Sequence, residues 1–304
     1  MNKKKQARPM TAREWAIMLL LASIWGCSFI FMEISLDGFA SFQLAFLRVL
    51  TGTLTLGVII LFFLKDPFAN ITKQLPFLAI LALFTSAAPF AMITWGQTHI
   101  TASLASIINA STPLTGILLA HFFTSDEKLS GRRMLGVLIG FCGVVSLIGP
   151  AALNGLNDNF WGIIAVFCAT ICYAIAGILG KKVKNISPIV TAFFSLGFSS
   201  LWLLPTMLIM NGFPLENITL YPILSLLGLG IMSTGFAYIL YFKLLSTAGA
   251  SNIFIVTLLA PASAMLFGSF FLGETISANA LLGFLFIIIG MLILDGRVIK
   301  LFKR

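Results

Sequence analysis

TASLASIINASTPLTGILLAHFF, residues 101–123, and GASNIFIVTLLAPASAMLFGSFF, residues 249–271, are the two stretches whose comparison decides the fold. Each is an apolar run of the roughly 20 residues that a membrane-spanning helix needs. Each opens on the same pair, Ala102-Ser103 and Ala250-Ser251. Each carries a central proline, Pro113 or Pro261, and closes on a phenylalanine pair, Phe122-Phe123 or Phe270-Phe271, at a constant offset. The match continues downstream with a shift of one residue. Glu127, Ser130, Leu135-Gly136 and Gly143 are answered by Glu274, Ser277, Leu282-Gly283 and Gly290.

On either side of these stretches the apolar runs go on. Ten qualify as spans: 14–35, 39–64, 75–96, 101–123, 131–149, 159–180, 188–211, 220–245, 249–272 and 277–296. Their short connections carry turn residues, among them Asp37-Gly38, Asp66-Pro67, Gly149-Pro150, Asn154-Gly155 and Asn211-Gly212. The chain is 59% hydrophobic and only 10% charged, with a mean hydropathy of +1.04. A soluble domain carries about 25% charged residues. The sequence therefore predicts an all-α integral membrane protein of ten transmembrane helices. The expected organisation is an N-terminal arm (1–13), a first five-helix repeat (14–149), a linker (150–158), a second repeat (159–296) and a basic tail (297–304). Five is odd, so the second repeat enters the membrane inverted relative to the first, an arrangement typical of secondary transporters.

Charge fixes the expected orientation. The chain has 19 Lys and Arg against 10 Asp and Glu, a net charge of +9. Basic residues fall in alternate connections: Lys3 to Arg13; Lys65 and Lys73; Lys128, Arg132 and Arg133; Lys181, Lys182 and Lys184; Lys243; and Arg297 to Arg304. The connections between them hold none. This is the positive-inside pattern, which places both termini in the cytoplasm and the chain in the cytoplasmic (inner) membrane as a multi-pass protein. The partner of these charges is then the anionic lipid bilayer, not nucleic acid. The apolar run from Glu14 to Ser35 is too long for a signal-peptide core and no small-x-small cleavage site follows it, so it reads as the first span. Cys27, Cys142, Cys168 and Cys172 all lie in apolar runs, where neither a disulfide nor a metal site is expected. No cofactor motif is present.

Arg48 is the exception to the charge pattern. It lies inside the second span, too deep for an easy snorkel, and an intramembrane charge is a functional candidate by default. Two roles are open: gripping a substrate carboxylate or phosphate, or anchoring freed carbonyls of a neighbouring helix. The repeat aligns it with Leu196, so the halves are chemically unequal here. Pro113 and Pro261 each remove a backbone hydrogen bond and free the carbonyl four residues earlier, of Asn109 and Thr257. Such breaks at membrane depth mark either a midplane binding site, with Asn109, Thr112 and Thr257 as ligands, or packing kinks. Trp25, Tyr173, Trp95 and Tyr238 are the aromatic candidates for a cavity, against the alternative of core or interface packing. Trp15 and Trp161 read as interface residues. Glu33, near the outer end of the first span, is the candidate for ion coupling, against a solvated helix end. Glu127 and Glu274 fall at opposite faces, so they cannot pair. Each precedes a capping serine, Ser130 or Ser277, and reads as structural. The glycines of helices 5 and 10 suit close helix approach or a homodimer contact.

These residues carry a resemblance. Trp25-Gly26 with Ser28-Phe29, Arg48, Pro113 with Glu127, and Pro261 with Glu274 resemble the ten-helix drug/metabolite transporter superfamily, in particular its EamA-type members. The resemblance spans nearly the whole chain. It implies a central cavity lined by helices 1–4 and 6–9, with helices 5 and 10 peripheral, and export of a small-molecule substrate by alternating access. An amino acid or related metabolite is the first expectation, because Arg48 suits a carboxylate. A multidrug or quaternary-cation exporter is the alternative. An intramembrane enzyme acting on lipid-linked substrates is a remote one, since no paired carboxylates, His cluster or nucleophile with a base is visible.

Overall fold

A computed structural model describes residues 10–63, 71–124, 130–153, 158–183, 185–210, 212, 218–248 and 250–295. Glu127, Lys65, Lys128, Lys184 and the turns at Asp66-Pro67 and Asn154-Gly155 lie outside the described residues. The described chain forms ten long helical segments: α1 (Ala12–Leu36), α2 (Ser41–Phe63), α3 (Thr72–Gly96), α4 (Ala102–Phe123), α5 (Gly131–Leu153), α6 (Asp158–Gly180), α7 (Pro188–Met210), α8 (Leu220–Ala248), α9 (Ala250–Leu272) and α10 (Ala278–Asp295). Eight are long and apolar enough to cross a membrane. The predicted spans are therefore all present as helices, with ends shifted by a few residues. The largest difference is α5, which runs through Gly149-Pro150 to Leu153 rather than turning there.

α1 shows why a helix starts where it does. Thr11 accepts the Glu14 amide at 3.3 Å, and the Glu14 carboxylate accepts the Thr11 amide at 2.8 Å. This reciprocal capping box satisfies two of the orphan amides of the first turn. The face at which α1 begins also receives Lys73, Arg132, Arg133, Lys181, Lys182 and Lys243. It is referred to below as the basic side, and the opposite face as the far side.

Lipid tails supply no hydrophobic force between helices, so association rests on close packing. The chain achieves it with glycine. A Cβ at Gly26 would stand 2.6 Å from Ser263 Cβ and 2.8 Å from both Ala260 O and Ala264 N, so α1 lies against the α9 backbone. On the periphery, a Cβ at Gly136 would stand 2.7 Å from Gly290 O, and one at Gly143 would stand 2.5 Å from Gly283 O. The glycine faces of α5 and α10 thus meet each other within one chain, while Leu135, Leu138, Leu281 and Leu285 turn outward. Trp15 and Trp161 are half exposed.

One feature was not legible as a sequence pattern, and of the two expected proline breaks only that at Pro113 is present. α3 and α8 each contain a widened π-helical stretch, Leu83–Ala87 and Gly228–Phe236. Such turns are rare and gather at functional sites. α4 splits into Ala102–Asn109 and Thr112–Phe123, whereas α9 continues unbroken through Pro261. The difference has a local cause. Around Pro113 the hydroxyls of Thr112 and Ser111 donate to Asn109 O and Ile108 O, both at 2.7 Å, and so satisfy the carbonyls that an open turn exposes. The residues flanking Pro261 are Ala260 and Ala262, which bring no such donors.

Because backbone atoms face Gly26 on two sides, Gly26→Val is expected to be overpacked by about 1–3 kcal/mol. A lower melting temperature of the detergent-solubilised protein, with reduced yield, is the expected result. An unchanged melting curve would contradict the packing described for α1 and α9.

Candidate functional site

A cavity of about 390 Å³ lies at mid-depth between the helices. Its wall is built from α1, α2, α3, α4, α6, α8 and α9. α5 and α10 contribute nothing, as expected of peripheral helices. α7 was expected to line the cavity and does not. Its Leu196, the repeat counterpart of Arg48, is fully buried in a cluster with Ala45, Val49 and Leu56 of α2, so that face of α7 is spent on packing.

Arg48 is the charged residue of the wall. It is only 6% exposed, and its polar partners among the described residues are two. Nε donates to Thr234 Oγ1 at 3.2 Å and Nη1 approaches Met32 Sδ at 3.7 Å. The guanidinium carbon lies 3.8 Å from the centroid of the Phe90 ring. An arginine at a helix centre costs roughly 2.5–3.5 kcal/mol on insertion scales. A desolvated cation–π contact contributes about 2 kcal/mol, and a hydrogen bond from a charged donor about 1.5–3 kcal/mol. Together these offset the insertion cost without a carboxylate. Nη2 is left with no protein partner and is not among the buried unpaired atoms, so it opens to the cavity.

The position of Thr234 explains this geometry. It belongs to the π stretch of α8, where its hydroxyl donates to Leu229 O, five residues back, at 2.9 Å while accepting from Arg48. Gly230 lets α8 approach so closely that a Cβ there would overlap Thr51 and lie 3.4 Å from Arg48 O. One turn of the same stretch also ties α8 to α1, through Ser233 Oγ and Ile24 O at 3.1 Å.

Around the guanidinium, Trp25, Tyr173, Tyr238 and Tyr241 line the wall, and Trp25 and Tyr241 pair with ring centroids 5.8 Å apart. Asn109 also faces the cavity, and its Oδ1 is buried without a hydrogen-bond donor. Thr112 and Thr257 line it too, although the Thr112 hydroxyl is already committed to Asn109 O. Pro261 is part of the wall, and Pro113 is not. Trp95 is the aromatic expectation that the structure corrects. Ile93, which does line the cavity, precedes it by two residues, so Trp95 points about 200° away around the helix. Its indole instead meets His99 edge-on at 4.4 Å. Glu33 lies outside this cavity, in a pocket toward the far side. Sequence reading missed Thr85, Ser233 and Thr234. Thr85 and Ser233 sit in the paired π stretches of α3 and α8, and aligning those two helices for hydroxyls would have found them.

On the far side of the cavity, polar contacts tie the helix ends together. Glu274, after α9, does not act on its own neighbour α10, whose first turn is capped by Ser277 through Ala280 N at 3.1 Å. Its carboxylate crosses to the start of α4, accepting Ala102 N at 2.8 Å and Ser103 N at 3.1 Å, with the Ser103 hydroxyl also donating to it. A carboxylate at a helix N-terminus meets unpaired amides and the positive end of the dipole. A Cβ at Gly268 would stand 2.5 Å from that carboxylate, so glycine opens the crossing. Nearby, Ser35 Oγ reaches Pro222 O at 3.4 Å and Gln97 Nε2 donates to Phe29 O at 2.9 Å. α9 accordingly meets α4 along Ala102–Asn109, the half nearer the far side.

A central cavity holding a buried cation within a bundle of apolar helices is the architecture of a membrane transporter. The chain belongs to the EamA-like transporter family, which matches residues 13–149 and 160–294. It is 25% identical to the uncharacterized transporter YoaV of Bacillus subtilis, over 88% of this chain and 91% of that one. It is 26% identical to a probable amino-acid metabolite efflux pump of Salmonella typhimurium, over 93% and 95% of the two chains. The corresponding Escherichia coli pump is 25% identical over the same shares. A solved crystal structure superposes with a TM-score of 0.67 over 97% of this chain and all of the other, at 16% identity, which speaks to the fold alone.

Loss of the Glu274 cap should loosen the far-side contacts. In a background without the native cysteines and carrying Ser106→Cys, Glu274→Ala is expected to raise labelling by a membrane-impermeant maleimide from the far side severalfold. Equal labelling with and without Glu274 would show that access from the far side does not depend on it.

Proposed function

We propose that the protein exports a small polar or amphipathic metabolite, an amino acid or close relative first, through the central cavity by alternating access. One observation carries this reading. Arg48 is held by Thr234 and Phe90 in a way that leaves Nη2 facing the cavity without an acceptor. A carboxylate is the complementary group, because a charge-assisted hydrogen bond of this kind is roughly twice as strong as a neutral one. Asn109 gives a second polar contact, and Trp25, Tyr241, Tyr173 and Tyr238 give apolar faces for the rest of the molecule. The likeness to two proteins described as probable amino-acid metabolite efflux pumps supports the same substrate class. No acidic side chain lines the cavity among the described residues, which weighs against a multidrug or quaternary-cation exporter. Among the described residues the wall brings together no nucleophile with a base, and the activity proposed is transport.

In this reading the basic side is cytoplasmic, the membrane is the cytoplasmic (inner) one, and the contacts at Glu274 belong to the state closed to the outside. The two halves act as inverted repeats. The paired π stretches of α3 and α8 support that relation. Glu33, beyond the cavity toward the outer face, is the candidate coupling group. A homodimer through α5 and α10 would use their exposed leucine faces, since their glycines are occupied with each other.

Two variants test the assignment. Arg48→Ala is expected to abolish flux in proteoliposomes while the protein still inserts and elutes as a monodisperse peak. Full flux would remove Arg48 from the mechanism. Asn109→Leu should weaken apparent substrate affinity about tenfold, as expected when one polar contact worth about 1.4 kcal/mol is lost, at unchanged expression. Unaltered affinity would take α4 out of the binding site.

A further inference from the structure

Toward the far side lies a second cavity, of about 300 Å³. It is lined by Glu33 of α1, by Gln97 and His99 just past α3, by Thr101 at the start of α4, and by Asn159 of α6. Glu33 stands one turn beyond Phe29, and Gln97 one turn beyond Ile93, both of which line the central cavity. The two cavities are therefore stacked along α1 and α3 with a layer of side chains between them.

The hydrogen-bond balance of the outer cavity is one-sided. Gln97 Nε2 donates twice, to Phe29 O at 2.9 Å and to Glu33 Oε2 at 3.2 Å. That fixes the amide, because the flipped orientation would set Oε1 against two acceptors. Gln97 is only 3% exposed, and its Oε1 is left without a donor. His99 Nε2 is likewise buried and unpartnered. Of the nearby hydroxyls, Thr98 Oγ1 donates to Trp95 O at 2.7 Å, and Thr101 Oγ1 accepts Leu104 N at 3.3 Å; the proton of Thr101 and the Asn159 amide reach neither buried acceptor in this structure. Among the described residues the lining holds a carboxylate and no lysine or arginine. What is missing is a positive charge bearing several N–H donors. An anion finds no counter-charge here, and a quaternary ammonium would leave the buried acceptors unmet.

We propose that this outer cavity is a second binding site that takes a primary ammonium group, with Glu33 supplying the charge and Gln97 Oε1 accepting a hydrogen bond, joined by His99 Nε2 in the tautomer protonated at Nδ1. It deepens the transport reading above, on which it rests only for the site's place along the path: an amino-bearing substrate gripped at its carboxylate by Arg48 would meet a station for its amino group one layer further out.

The purified full-length protein in detergent can be titrated with methylammonium chloride while its melting temperature is followed, since a ligand of the folded state raises it with concentration. Tetramethylammonium chloride and sodium chloride at equal ionic strength and fixed pH are the comparisons. Methylammonium should stabilise the protein saturably and the other two should not. Glu33→Gln should weaken the apparent affinity for methylammonium about tenfold or more, the loss of one charge-assisted contact. Gln97→Leu should act in the same direction, and gives a second reading should Glu33→Gln fold poorly. An equal response to sodium, an equal response to tetramethylammonium, no response at all, or undiminished binding in these variants would overturn the proposal. Phenylacetate, titrated in parallel, reports the central cavity: its effect should vanish in Arg48→Ala and persist in Glu33→Gln. A failed outer site and a failed central site therefore give different patterns.

Discussion

The site is organised by the contact between Arg48 and Thr234. A guanidinium in hydrocarbon is tolerated only where its charge is spread and its donors are met. Here the Phe90 face takes the charge and Thr234 takes one donor. Thr234 is available only because α8 widens into a π turn and because Gly230 brings that turn against α2. If either were absent, Arg48 would need a carboxylate, which would compete with any substrate anion. Structural anchoring and substrate binding are therefore compatible roles for this residue. Two of its nitrogens hold the bundle together, and the third remains for a ligand.

The symmetry suggested by the sequence is broken where the chemistry is placed. Arg48 faces a hydroxyl and an aromatic ring, while its counterpart Leu196 is fully buried in a hydrophobic cluster with Ala45, Val49 and Leu56. Pro113 opens α4, because the hydroxyls around it can repair the exposed carbonyls; Pro261 leaves α9 continuous between two alanines. The wall of the cavity is accordingly more polar on the α4 side, where Ser106, Asn109 and Thr112 project, than on α9.

The far-side contact of Glu274 shows the same dependence on packing. Glu274 reads from sequence as part of the approach to α10, three residues before Ser277. In space the carboxylate goes to the start of α4, where Thr101 caps only Leu104 N and the amides of Ala102 and Ser103 are still to be met. Its passage past Gly268 needs the absence of a side chain, a condition that no spacing along the chain reveals.

Hydropathy and charge along the chain determined the ten spans, their alternating direction and Arg48 as the outlier, because both terms depend on what each segment meets in a bilayer rather than on its neighbours. The repeat likewise located Pro113 and Pro261. Sequence alone could not say that Trp95 turns away from the cavity, that α7 leaves it, or that Glu274 caps a helix far along the chain. It also could not show the π turns of α3 and α8. Each of these is a question of which face meets which helix at what distance, and that is settled by glycine contacts and crossing carbonyls between segments remote in sequence. Tertiary structure alone decided them, since a side chain's role in a membrane is set by the donors and acceptors that packing brings within about 3 Å of it.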